Sequence, residues 1–109
     1  YKRQVEAVQN IVKNCLEHMD NGGTLRLTGT QTALYCQLVI ADDGYGIEKE
    51  DLPHIFERFY KGKNAGADSV GIGLALSKSV LNRENATVEV QSTVGVGTTF
   101  TIRFYRNII

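Results

Sequence analysis

The chain has 109 residues, of which 42% are hydrophobic and 22% charged, the proportions of one globular domain with a single shared core. Lys plus Arg and Asp plus Glu number 12 each, so the basic excess of a dedicated nucleic-acid binder is missing. No apolar run approaches the roughly 20 residues of a membrane span, residues 34–41 being interrupted by Gln37, and the opening Tyr1-Lys2-Arg3-Gln4 does not read as a signal peptide.

Val5, Val8, Val12, Cys15, Leu16 and Met19 recur at the spacing of one helix face, which predicts a helix from residue 4 to about residue 20. Asn21-Gly22-Gly23 accepts positive φ and ends it. Residues 24–28 and 33–41 read as a strand hairpin around Gly29-Thr30-Gln31, followed by a glycine-rich loop over residues 42–46. Residues 48–54 form a short helix that begins with acids and is made irregular by Pro53. Residues 62–69 lack periodicity and read as a mobile loop, and residues 72–81 are helical. Residues 87–92 and 98–105 alternate as strands, with Val88, Val90, Phe100, Ile102 and Phe104 on one face. Cys15 and Cys36 lie in apolar patterns without metal-like spacing and are expected to be reduced core thiols of a cytoplasmic domain. The order contains no βαβ repetition, so the expected class is α+β: a two-layer α/β sandwich, its mixed, mostly antiparallel sheet covered on one face by three helices.

Four segments carry chemistry. Asn10, Asn14 and His18 are four apart and stack along one face of the first helix, opposite the Val5/Val12/Leu16 stripe. Alone, such a face is most often merely solvated. Asn is nevertheless a poor helix-interior residue, and two stacked amides offer oxygen to a hard cation such as Mg²⁺. Asp42-Asp43-Gly44-Tyr45-Gly46-Ile47 follows a strand directly. A carboxylate there can accept from an exocyclic amine, although a plain turn is an equal reading of that segment alone. Ser69-Val70-Gly71-Ile72-Gly73-Leu74 opens a helix whose N–H groups suit phosphate, without the strand of a Rossmann fingerprint or the lysine of a P-loop. Gly95-Val96-Gly97-Thr98 precedes the last strand, and the aromatic run Phe56-Glu57-Arg58-Phe59-Tyr60-Lys61 stands at the base of the mobile loop.

Taken in order, these segments resemble the GHKL superfamily, which contains DNA gyrase, the large heat-shock chaperone, histidine kinases and MutL. Asn10-Ile11-Val12-Lys13-Asn14-Cys15 is similar to its N box, the two glycine segments to its first and second glycine boxes, and Gly97-Thr98 to the last one. Phe56-Glu57-Arg58-Phe59-Tyr60 resembles the F box particular to histidine kinases. The resemblance spans roughly residues 4–105. It implies the Bergerat fold and binding of ATP with Mg²⁺. Asn14 would ligate the metal with Asn10 beside it, both counting as catalytic, and Asp42 would accept from the adenine amine with Thr98 in support. Gly44, Gly46 and Ile47 would seat the base. Gly71, Ile72, Gly73 and Leu74 would hinge a lid and present N–H groups to phosphate. Tyr60, Lys61, Lys13 and His18 complete the expected nucleotide-contacting set.

The sequence departs from the family at Ser69, where another glycine is common, at Cys15 in place of alanine, and at Glu84-Asn85-Ala86 before a strand. A gyrase- or MutL-type clamp carries a Glu four residues before the magnesium Asn as general base. Here that residue is Asn10, whose amide cannot take a proton from water. A nucleotide-binding module or an anti-sigma-type serine kinase is the other alternative; the F box counts against the latter. Neither His18, followed by Met19, nor His54, followed by Ile55, matches the family's acceptor histidine. The resemblance therefore implies a fragment covering residues 1–109 that phosphorylates a histidine on a separate helical domain of the same kinase and serves a response regulator indirectly. The full protein would be a membrane-anchored homodimer with this domain in the cytoplasm, itself touching neither membrane nor nucleic acid.

Overall fold

The computed structural model describes residues 2–17, 19, 23–57 and 73–106. Helix α1 spans Lys2–Glu17, strands β1 and β2 span Leu25–Gln31 and Tyr35–Asp42, and a single 3₁₀ turn occupies Leu52–His54. Helix α2 spans Gly73–Arg83, followed by β3 at Ala86–Thr93 and β4 at Gly97–Tyr105. Each of the strands pairs antiparallel, in the spatial order β1-β2-β4-β3. The last strand therefore lies inside the sheet, between β2 and β3.

Alternation along the strands puts one face against the helices. Ile40 of β2 and Phe100 and Ile102 of β4 are fully buried there, together with Ala7, Ile11 and Cys15 of α1 and Leu81 of α2. Val88, Val90 and Phe104 pack at the margin of this cluster. The Phe56 ring meets Phe100 edge-on at 6.4 Å, and the Lys78 ammonium of α2 lies 4.9 Å above the Phe56 ring. The first aromatic of the F-box-like segment is thus an anchor between the core and α2.

Several expectations are corrected. The buried residues of α1 are Ala7, Ile11 and Cys15, with Val8 and Val12 packed beside them; of the expected apolar face, Val5 is 41% and Leu16 55% exposed. At about 100° per residue, Ala7, Ile11 and Cys15 share one narrow face. Cys36 is a free but exposed thiol rather than a core one. The β1–β2 turn falls at residues 32–34 instead of Gly29-Thr30-Gln31. There the Thr32 hydroxyl accepts from the Leu34 and Tyr35 N–H groups at 3.1 Å each, fixing a tight turn and letting β1 continue to Gln31. The third helical element expected over residues 48–54 is only the 3₁₀ turn with Pro53 at its start, so two α-helices cover the described part of the sheet.

Candidate functional site at the carboxyl end of β2

Strand register defines one end of the molecule. Asp42, Thr98 and Ser92 lie side by side across β2, β4 and β3, whereas Cys36, Phe104 and Ala86 form the row near the opposite end. Helix α2 leads into Ala86, so its other terminus, Gly73, points toward the Asp42 end. The last turn of α1 reaches the same end, because the Cys15 thiol donates a hydrogen bond to the Asp42 carboxylate. Chain topology therefore gathers Asn14, Asp42, residues 43–47, the start of α2 and the β3–β4 turn.

Asp42 organises this end. Its Oδ1 accepts from the Gly44 N–H at 2.9 Å and from the Thr98 N–H at 3.2 Å. Asp43 turns the other way, accepting from the Thr24 N–H at 2.7 Å and closing the β1–β2 hairpin. Burial, and then the hydrogen bond and negative charge of Asp42, push the Cys15 thiol well above the usual thiol range, so it stays protonated. The protonated thiol places an uncharged donor beside the carboxylate.

Glycines fit the loops together. Gly46 has φ +79°, and a Cβ there would collide with the Thr93 carbonyl of the β3–β4 hairpin. Gly97 has φ +146°, and a Cβ there would strike the Asp42 carbonyl. Close packing against the Thr93 backbone by itself requires glycine at residue 46. The Gly95 N–H donates to the Tyr45 carbonyl at 2.9 Å, tying the two loops once more.

Of the expected site residues, Asn14, Asp42, Gly44, Gly46, Ile47, Leu74 and Thr98 belong to this end. Asn14 is half-buried, on the edge of the core-facing stripe of α1. Asn10 is exposed one turn earlier, in a groove of about 370 Å³ between α1 and α2 whose walls include Arg3, Glu6, Leu76 and Arg83. Lys13 is exposed, and Leu74 packs against the core cluster. Gly73 is the first residue of α2. His18, Tyr60, Lys61, Gly71 and Ile72, with the expected loop over residues 62–69 and Ser69, lie outside the described residues. Ser92 escaped the sequence reading: its hydroxyl accepts from the Ile47 N–H at 2.7 Å and stands 2.9 Å from the Thr98 hydroxyl. A serine in an alternating strand carries no sequence signal for that role.

A four-stranded antiparallel sheet with two helices on one face among the described residues, and glycine-packed loops at its Asp42 end, has the architecture of the Bergerat ATP-binding domains. The profile of the histidine kinase-, DNA gyrase B-, and HSP90-like ATPases matches residues 2–108, and the chain belongs to that family. The heme sensor protein HssS of Staphylococcus saprophyticus is 38% identical over 99 residues, covering 91% of this chain and 21% of that protein. The sensor histidine kinase YclK of Bacillus subtilis is 36% identical over 107 residues, covering 94% of this chain and 22% of that protein. The chain thus spans about a fifth of the length of these curated relatives. Among solved structures, the mycobacterial sensor histidine kinase MprB superposes with a TM-score of 0.82 at 27% identity, over 92% of this chain and 70% of that one.

Proposed function

We propose that this chain is the catalytic domain of a sensor histidine kinase, which binds Mg-ATP and passes its γ-phosphoryl group to a histidine on a separate helical domain of the same protein. The observation that carries the reading is the Asp42 carboxylate, fixed at a strand end by the Gly44 and Thr98 N–H groups and beside the N-box-like helix through Cys15. The sensor histidine kinase names of YclK and MprB support the same reading.

In this reading Asp42 accepts from the adenine amine, with Thr98 in support. Gly44, Gly46 and Ile47 shape the seat of the base. The N-terminus of α2, from Gly73, directs its N–H groups and positive dipole end toward the phosphates. Among the described residues no three His, Cys, Asp or Glu side chains stand together as a metal site. Asn14 would hold Mg²⁺ through its amide oxygen, a donor that a hard cation accepts. The chemistry such an ion would supply is neutralisation of phosphate charge. Asn10 stands beside Asn14 in the catalytic set, and its amide cannot take a proton from water, which disfavours hydrolysis and favours transfer to the acceptor.

His54 is hydrogen-bonded to Glu57 at 2.7 Å and is not assigned as the acceptor. The partners are the acceptor domain directly and a response regulator indirectly, within a homodimer. Among the described residues no helix is long and apolar enough to cross a membrane; we place the domain on the cytoplasmic side of an anchored sensor.

The test uses radiolabelled ATP with this chain, alone and with a separately produced helical domain bearing the acceptor histidine. Label is expected on the helical domain and not on this chain. Stable label on this chain alone, or rapid release of inorganic phosphate without an acceptor, would defeat the assignment.

A further inference from the structure

At the Asp42 end, one hydrogen bond has its direction decided by its neighbours. Ser92 Oγ has three partners: the Ile47 N–H at 2.7 Å, the Gly97 carbonyl at 2.9 Å and the Thr98 hydroxyl at 2.9 Å. A serine hydroxyl carries one proton and two lone pairs. The Ile47 N–H can only donate, so it occupies a lone pair. The Gly97 carbonyl can only accept, so it takes the proton. The capacity left is one lone pair, and Thr98 must be the donor. Thr98 is 5% exposed, so bulk water does not offer its hydroxyl an easy alternative. Its single proton is committed to Ser92, and lone pairs are all it presents elsewhere. Its backbone N–H is committed as well, to Asp42 Oδ1 at 3.2 Å. Side by side, Asp42 and Thr98 form a wall of acceptors.

We propose that Ser92 is a specificity-determining positioning residue, which claims the Thr98 proton and so makes the Asp42–Thr98 wall select a purine edge bearing an amine over one bearing a carbonyl. This rests on the reading of that end as the ATP site. An adenine 6-amine meets the wall as donor to acceptor, directly or through a water. A guanine or hypoxanthine 6-carbonyl meets lone pairs with lone pairs. A threonine hydroxyl free to rotate would relieve this by donating to the carbonyl; one fixed by Ser92 does not.

The experiment is calorimetric titration of the chain with Mg-ATP, Mg-GTP and Mg-inosine triphosphate, using wild type, Ser92→Ala, Ser92→Thr and Thr98→Val. Wild type is expected to prefer ATP. Ser92→Ala should narrow the ATP:GTP and ATP:inosine triphosphate ratios by about threefold to tenfold, the worth of one neutral hydrogen bond. Ser92→Thr keeps the hydroxyl and should restore the wild-type ratios. Thr98→Val removes the oriented hydroxyl while leaving Ser92 bonded to Ile47 and Gly97, and should also narrow them. Equal weakening of all three nucleotides in Ser92→Ala, with ratios unchanged, makes Ser92 a loop support and overturns the proposal. If Ser92→Ala does not fold, unchanged ratios in Thr98→Val overturn it instead. A wild type that binds ATP and GTP alike removes the selectivity but leaves the ATP site standing, whereas a wild type that binds none of the three removes the ATP site and the proposal together.

Discussion

Asp42 has two kinds of partner, and they predict different losses. Its Oδ1 holds backbone in place through Gly44 and Thr98, while the carboxylate also takes the Cys15 hydrogen bond and, in the proposed reading, the base. Asp42→Asn keeps the shape and removes the charge. We expect ATP binding to weaken by about 1.5–3 kcal/mol, the worth of a charge-assisted hydrogen bond. Calorimetry on a mutant shown folded by circular dichroism checks this, and unchanged affinity would return Asp42 to a purely structural role. Cys15 makes a prediction in pH. Its folded-state pKa lies above the unfolded value, so its contribution to stability is intact below the ordinary thiol range and declines as pH rises through that range and beyond. The urea midpoint should therefore fall between pH 8 and pH 10, and fall less in Cys15→Ala. Alkylation at pH 8 should label the exposed Cys36 and spare the buried Cys15.

Among the elements, the β3–β4 hairpin is the one whose turn meets the site. Gly95 and Gly97 both have positive φ, but a Cβ on Gly95 meets open space while one on Gly97 runs into the Asp42 carbonyl. Gly95→Ala should cost about 1 kcal/mol for its backbone conformation alone. Gly97→Ala should cost about 2–4 kcal/mol and should displace β4 from Asp42, lowering nucleotide affinity too. Thermal melts of the two variants, followed by ATP titration, make the comparison; equal melting temperatures would mean that the approach of Gly97 to Asp42 is not a constraint. The same elements mark what the sequence discloses. The alternation of Val88, Val90, Phe100 and Ile102 declares the hairpin, because a half-buried strand enforces period two. The boxes bracketing Asn14, Asp42 and Thr98 are visible because their spacing survives as loops and caps. The buried side of α1 is only partly visible: the apolar pattern includes Cys15, Val8 and Val12, which meet the core, but also the exposed Val5 and Leu16, and it passes over Ala7 and Ile11. Ser92 is silent, because its partners Ile47 and Thr98 come from other segments and only the fold brings them together. Asn85 is an intermediate case: the departure at Glu84-Asn85-Ala86 puts a residue tolerant of left-handed backbone where φ is +62°, between α2 and β3.

For the molecule as a whole, the position of β4 matters most. It is the last strand in sequence, yet it pairs with β2 on one side and β3 on the other, and it supplies the buried Phe100 and Ile102. Without it β3 would have no strand neighbour and β2 only β1. A chain ending at Val96 is expected to lose the cooperative urea transition altogether, and retention of a sharp transition would show that α1, α2 and the first hairpin form an autonomous core. The same arrangement bears on how the protein is made. A ribosome delivers α1, the first hairpin, α2 and β3 before the strand that joins them, so the nascent chain must wait with its apolar sheet and helix faces uncovered until residues 97–105 emerge. Termination anywhere before β4 would release an aggregation-prone product rather than a weakened domain, and a chaperone's moment with this fold would be the one just before β4 closes it.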